Sequence, residues 1–232
     1  MSEGGPDSVS PEERKMWTTW VRERAVATLP PEKLLPDRQP SYVSSWIYVF
    51  GVATIAALIV IIVSGMILGL KGPEWWHVTG IGRFFNGIHL WSVELFFFAM
   101  VVHLWGKFFM AAWRGGRGRT WVTGAVTFLV AIGAAFTGYL SQQNFDSQWI
   151  ASEGKDGLNS VGIGSFFNVV DFGQMYTFHV ILLPVVVVAL MVGHILLVRR
   201  TGVVPPYPAR TSKPAPSPSP AAAPTQGQGG AP

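Results

Sequence analysis

An all-α membrane protein, a bundle of four transmembrane helices, is the fold that three features of this 232-residue chain predict. Charged residues make up 13% and hydrophobic residues 49%, whereas a soluble domain carries about 25% charged. Four apolar runs are each long enough to cross ~30 Å of hydrocarbon, which takes roughly 20 helical residues. Trp46, Trp75, Trp76, Trp113 and Trp121 stand at the edges of those runs, as an interfacial aromatic belt would.

In chain order, residues 1–41 form a polar, charged arm. It lacks a basic stretch leading directly into an apolar run and a small-residue cleavage site, so no secretory signal is read there. Within it, residues 11–29 suit a membrane-surface helix carrying Trp17, Trp20 and Val21 on one side; a solvated arm fits equally well. The spans fall near 46–70, 84–113, 121–140 and 175–198, within a domain of residues 42–202. Residues 203–232 are rich in Pro, Ala, Ser and Gly, too poor in apolar side chains to pack, and are expected to be a disordered tail.

Basic residues set the orientation. Arg14, Lys15, Arg22 and Arg24 lie in the arm; Lys107, Arg114, Arg117 and Arg119 lie between the second and third spans; Arg199 and Arg200 close the fourth. The other two connections are richer in acids, so both termini are expected in the cytoplasm of a prokaryotic-type inner or plasma membrane. Cysteine is absent. That excludes disulfides, cysteine-held metal or iron–sulfur clusters, and any covalent c-type haem on this chain.

Histidine placement carries the chemistry. His89 and His103 are 14 residues apart on the second span, and His179 and His194 are 15 apart on the fourth. Those separations correspond to ~21 and ~22 Å of helix rise. At about 100° per residue they rotate by roughly −40° and +60°, so each pair shares a broad face. The second and fourth spans run in the same direction. His89 therefore lies level with His179 on the outer side, and His103 with His194 on the inner side. A single buried histidine is more often a hydrogen-bonded structural residue; two matched tiers are not explained that way. Paired neutral imidazoles suit b-type haem iron with no open position, hence electron transfer, whereas zinc wants four clustered ligands. His77, in an outer connection without a partner, is given no ligand role.

Glycines repeat the spacing. Gly51 and Gly65 on the first span, and Gly124 and Gly138 on the third, are again 14 apart. Such notches suit seats for two flat macrocycles, and close helix–helix packing is the alternative.

With these residues in view, the chain resembles the N-terminal, haem-binding half of cytochrome b of bc-type complexes, closest to the short cytochrome b6-like form. The resemblance rests on His89, Trp91 and Ser92 opening the second helix, the two histidine spacings, TWVTG at 120–124, TGY at 137–139, HVILLP at 179–184, and the basic close after His194. It implies two non-covalent b haems, one on His89 and His179 and one on His103 and His194, with quinol or quinone as substrate. It further implies a cytochrome b subunit of a quinol:cytochrome c (or similar carrier) oxidoreductase, carrying electrons across the membrane with proton translocation. The implied partners are a Rieske iron–sulfur protein, a cytochrome c-like subunit and a separate membrane subunit bearing the C-terminal cytochrome b helices. A homodimer of the complex is implied, and no nucleic acid. Arg199 and Arg200 are candidates to face inner haem propionates or quinone.

Departures from the family pattern are equally legible. Val49 stands where short-form relatives anchor an extra haem through cysteine, so none is expected. Asn86, Leu90 and Gln174 replace arginines, with Arg83 as a possible stand-in. SQQNFDSQW replaces the family's Pro-Trp after the third helix, and VGIGSFF at 161–167 resembles its short outer-site helix. PEWW at 73–76 lies in the wrong connection to be the family's quinol-proton motif and reads as an interfacial Trp pair. Glu94 has no evident role. Two other readings stay open: a di-haem anchor passing electrons between quinone and a peripheral dehydrogenase or hydrogenase, and a haem-free structural or transport subunit.

Overall fold

Residues 17–34 and 46–204 are described in the computed structural model of the chain. They form helices α1 (Trp17–Thr28), α2 (Pro31–Leu34), α3 (Val49–Lys71), α4 (Pro73–Val78), α5 (Gly80–Phe109), α6 (Gly118–Leu140), α7 (Phe145–Ser160), α8 (Phe172–Thr177) and α9 (Leu183–Thr201). A 3₁₀ turn, Trp46–Tyr48, leads into α3, and a π turn, Phe178–Leu182, joins α8 to α9. No strand occurs among the described residues. Four helical stretches are long and apolar enough to cross a membrane: α3, α5, α6 and the continuous run Phe172–Thr201. The tail beyond residue 204 and most of the N-terminal arm lie outside the described residues.

The bundle is two pairs of helices. α3 packs along α5 and α6 along α9, while α5 and α6 meet only briefly. The pairs close on each other at mid-height through buried Ala57, Leu58, Phe96, Met100, Ala131 and Val187. In hydrocarbon this cluster gains little from the hydrophobic effect, because lipid tails are as apolar as leucine; close packing is what it contributes. Between 6% and 22% of each span's most apolar window is buried within the chain, so most of the helical surface faces outward.

One end of the bundle gathers the start of α3 and the ends of α5 and α9. The Tyr48 hydroxyl donates to the Val204 carbonyl at 2.7 Å, and the Lys107 ammonium sits 3.5 Å from the Tyr48 ring centroid. α2 packs on α9 at this end. In α1, Trp17, Trp20 and Val21 are exposed and Arg24 lies over the Trp20 ring.

At the other end sit α4 and α7. Gly72, at φ +80°, ends α3 in a conformation few side chains adopt, and Pro73 opens α4 directly after it. The expected short helix at 161–167 is not present. Those residues form turns, and the helix of this connection is α7, sixteen residues earlier in onset. The cause is local: Asn144 and Ser147 form a reciprocal capping box that starts α7, and Gly162 at φ +81° stops it. Asn144→Ala is expected to cost about 1 kcal/mol of α7 stability, measured as faster amide hydrogen exchange across 145–160 with the spans unaffected. α7 is held to the bundle by Leu140, Ala151, Val169 and Met175.

Candidate haem-binding site

The tier expected on the outer side, called the outer tier below, is built from His89 on α5 and His179 in the π turn. Their ring centroids lie 6.1 Å apart with planes at 89°. Two imidazoles held on opposite sides of one metal, at ~2 Å per metal–nitrogen bond, place their centroids roughly 6 Å apart. His89 Nδ1 lies 3.1 Å from the Ile61 carbonyl and 3.0 Å from Ser64 Oγ, and His179 Nδ1 lies 2.9 Å from the Ala134 carbonyl. A carbonyl can only accept, so each Nδ1 carries the proton and each Nε2 is left bare, the tautomer a metal requires. Ser64 itself donates to the Val60 carbonyl at 2.7 Å.

Every one of the four notch glycines meets a histidine. A Cβ at Gly65 would lie 3.0 Å from the His89 ring, at Gly51 3.1 Å from His103, and at Gly124 3.0 Å from His194. At Gly138 it would overlap the His179 ring. The glycines of α3 therefore admit the two rings of α5, and those of α6 admit the two rings of the fourth span, His179 in the π turn and His194 on α9. What approaches the backbone in this structure is imidazole; the macrocycle seat inferred from spacing is a separate proposal.

A small sequence signal accompanies three of these notches: a hydroxyl residue precedes the glycine, as Ser64, Thr123 and Thr137. Ser64 reaches His89, Thr123 Oγ1 lies 3.2 Å from His194 Nδ1, and Thr137 is fully buried beside the notch of His179. Phe50 precedes Gly51, and here the ring differs: His103 Nδ1 is buried with no hydrogen-bond partner among the described residues.

The π turn resolves the unequal spacings. Leu183 N–H donates to the Phe178 carbonyl, five residues back, so the helix takes in one extra residue at His179. Pro184, without an N–H, cannot restore the ordinary bond to Val180. The 15-residue separation on the fourth span thus includes the extra residue of the π turn.

The outer cleft is also lined by Trp76, Tyr176 and Gln142, which spacing arguments missed. Tyr176 donates to the Gly69 carbonyl at 2.8 Å, and Gln142 and Asn86 pair their amides at 3.2 Å. The second tryptophan of PEWW is thus buried beside the outer histidines, whereas Glu74 is exposed. His77 Nε2 lies 2.6 Å from the Gln142 carbonyl, and Arg83 donates to the His77 carbonyl at 3.1 Å. Arg199 and Arg200 are exposed at the end of α9. Glu94 is exposed midway along α5, away from both tiers.

No group of three or more His, Cys, Asp or Glu side chains converges among the described residues. A bare ion would find two protein ligands per tier. A porphyrin brings four nitrogens of its own, so the pair His89 and His179, 6.1 Å apart and with Nδ1 carrying the proton, fits haem iron.

Four membrane-crossing helices with two tiers of histidines between two helix pairs define a membrane cytochrome of the b class. The chain belongs to the cytochrome b(N-terminal)/b6/petB family, whose pattern it matches over residues 94–225; membership implies b-type haem binding. It is 26% identical over 213 residues to the menaquinol:cytochrome c reductase cytochrome b subunit of Geobacillus thermodenitrificans, covering 79% of this chain and 95% of that one. It is also 26% identical to the cytochrome bc complex cytochrome b subunit of Chlorobaculum thiosulfatiphilum, covering 85% of this chain but 51% of that one. In fold it is similar to a chain of a hyperthermophilic respiratory Complex III, with a TM-score of 0.60, 21% identity, and coverage of 79% and 53%. It thus spans nearly all of some relatives and about half of others.

Proposed function

We propose that this chain is the cytochrome b subunit of a quinol:cytochrome c oxidoreductase-type complex, with one b haem held by His89 and His179 and a second by His103 and His194. The observation that carries the reading is the outer pair, facing at 6.1 Å with both Nδ1 atoms tied to backbone carbonyls. His89 with His179, and His103 with His194, would hold such a haem, which would supply a one-electron iron couple.

The residues of the chain do the rest. Each histidine ring is confined by its notch glycine, and His89 and His179 are also held in one tautomer by their Nδ1 contacts to backbone carbonyls. The cluster of Phe96, Met100, Leu58 and Val187 keeps water out of the interval between tiers. Arg199 and Arg200 stand on the inner side to receive propionate or quinone oxygens. Quinol oxidised on the outer side would release two protons there and give one electron to the Rieske protein; the other would cross to the inner side and reduce quinone, which would take up protons there. A Rieske protein, a cytochrome c-like carrier, a membrane subunit with the C-terminal cytochrome b helices and a second copy of the complex complete the assembly. Both termini lie in the cytoplasm.

The test is haem content and a reduced-minus-oxidised spectrum of the subunit purified in mild detergent. Two b haems per chain are expected, reducible by a quinol analogue through the intact complex. A preparation with no b-type absorbance, or one haem per chain with all four histidines intact, contradicts the assignment.

A further inference from the structure

Glu94 lies midway along the 30-residue α5, at the depth of the bilayer centre, and it is exposed. Its carboxylate has no hydrogen-bond or ion-pair partner among the described residues. An acid at that depth does not face lipid; such groups turn to a protein interior, a water-filled cavity or a partner charge. Here it turns away from the bundle.

The surface around it is organised. Phe84, Trp91, Phe98 and Trp105 recur every seven residues on α5 and are 63%, 74%, 61% and 60% exposed. Glu94 follows Trp91 by three and precedes Phe98 by four, which places it in the same seam. A seven-residue apolar repeat is the pattern that seats one helix along another. Above Glu94 the seam opens into a groove of about 500 Å³ lined by Arg83, Phe84, Gly87, Trp91 and Leu95. The small Gly87 leaves room there for a side chain of another helix.

Charge decides between occupants. On α5 the nearest described cations are Arg83 and Lys107, 11 and 13 residues from Glu94, or ~16 and ~20 Å along the helix. The other described lysines and arginines also lie at or beyond span ends. The described residues of a second copy bring no cation to the bilayer centre, and a symmetric contact on this seam would set Glu94 against Glu94.

From this we infer that the α5 seam is the docking face for a transmembrane helix of a different polypeptide, one that places an Arg or Lys side chain opposite Glu94. Single polar residues in an apolar seam fix register, and that is the role assigned to Glu94. The inference needs only the four spans and not the haems, so it stands or falls independently of the proposed function.

The test uses the full chain in its native membranes. A benzophenone-bearing amino acid replaces Trp91 or Phe98, with Leu129 on the exposed face of α6 as the comparison site. After irradiation, adducts are identified by peptide sequencing. The expected result is one heterologous membrane polypeptide at both α5 sites, not at Leu129, joined within a helix that carries Arg or Lys about one turn from the linked residue. Glu94→Leu should then lower that adduct at least fivefold, and Glu94→Gln, which keeps a hydrogen-bond acceptor, should retain more of it. Adducts with lipid alone, adducts with a second copy of this chain, or a partner helix lacking a cation there would each overturn the proposal. So would equal adduct yield in Glu94→Leu.

Discussion

His103→Leu should lower haem content from two to one per chain and leave the remaining b-type signal with the potential of the outer centre. His103 is well suited to this test because its replacement strands nothing. Its Nδ1 has no hydrogen-bond partner among the described residues, so none of their buried donors or acceptors loses one at that atom when the ring is removed. Leucine is of similar bulk and apolar, and near volume-conserving core changes usually cost under ~1.5 kcal/mol. The helix pair α3 and α5 should therefore persist with the inner tier disabled. His179→Leu is the converse and should remove the other redox component. The measurements are haem quantitation and a redox titration followed at the reduced b-type absorbance. If either variant loses both haems while keeping its helicity, or loses neither, the tiers are not independent and the pairing is wrong.

The second large effect concerns glycine. Replacing glycine by alanine within a helix ordinarily stabilises it by roughly 1 kcal/mol. Gly133→Ala should behave so, because a Cβ there meets nothing within 4 Å. Gly138→Ala, five residues later on the same helix, should do the opposite. Its Cβ would overlap the His179 imidazole, which is anchored through Nδ1 to the Ala134 carbonyl of that same helix. Overpacking of this kind costs about 1–3 kcal/mol. The ring must move, and the outer centre should be lost or its potential displaced. Gly51→Ala is intermediate, with a contact at 3.1 Å that a small ring shift relieves. Haem content and thermal inactivation of the assembled complex give the ordering. Equal behaviour of Gly138→Ala and Gly133→Ala would show that the close approach to His179 is not a constraint.

Much of this was readable before any coordinates. Apolar runs and span length placed α3, α5, α6 and the fourth span within a few residues, because in a membrane every backbone group must be satisfied inside a helix. Histidine spacing gave the two tiers because both spans run the same way. Glycine spacing signalled a close approach at Gly51, Gly65, Gly124 and Gly138, but a missing Cβ says that something is near and not what it is; the neighbour in each case is a histidine ring. The π turn was hidden, since nothing about FHVIL separates α from π winding until Pro184 and the bonding pattern are considered together. The position of α7 was missed for a different reason. The similarity of VGIGSFF to a known segment points to 161–167, whereas the capping residues Asn144 and Ser147 govern where the helix begins.

The division of the bundle into two helix pairs has a consequence for the life of the protein in the cell. Each tier draws one imidazole from α5 and one from the fourth span, so anything bound between them bridges the seam where direct packing is sparse. Bound haem would act as a rivet at each end of that seam, which before it arrives is joined by the mid-height cluster and a few hydrogen bonds such as Tyr176 to Gly69 and Gln142 to Asn86. Newly made chains should then pass through a loosely joined stage whose duration depends on haem supply. In haem-starved cells the subunit should be cleared by membrane proteases while its messenger level stays constant.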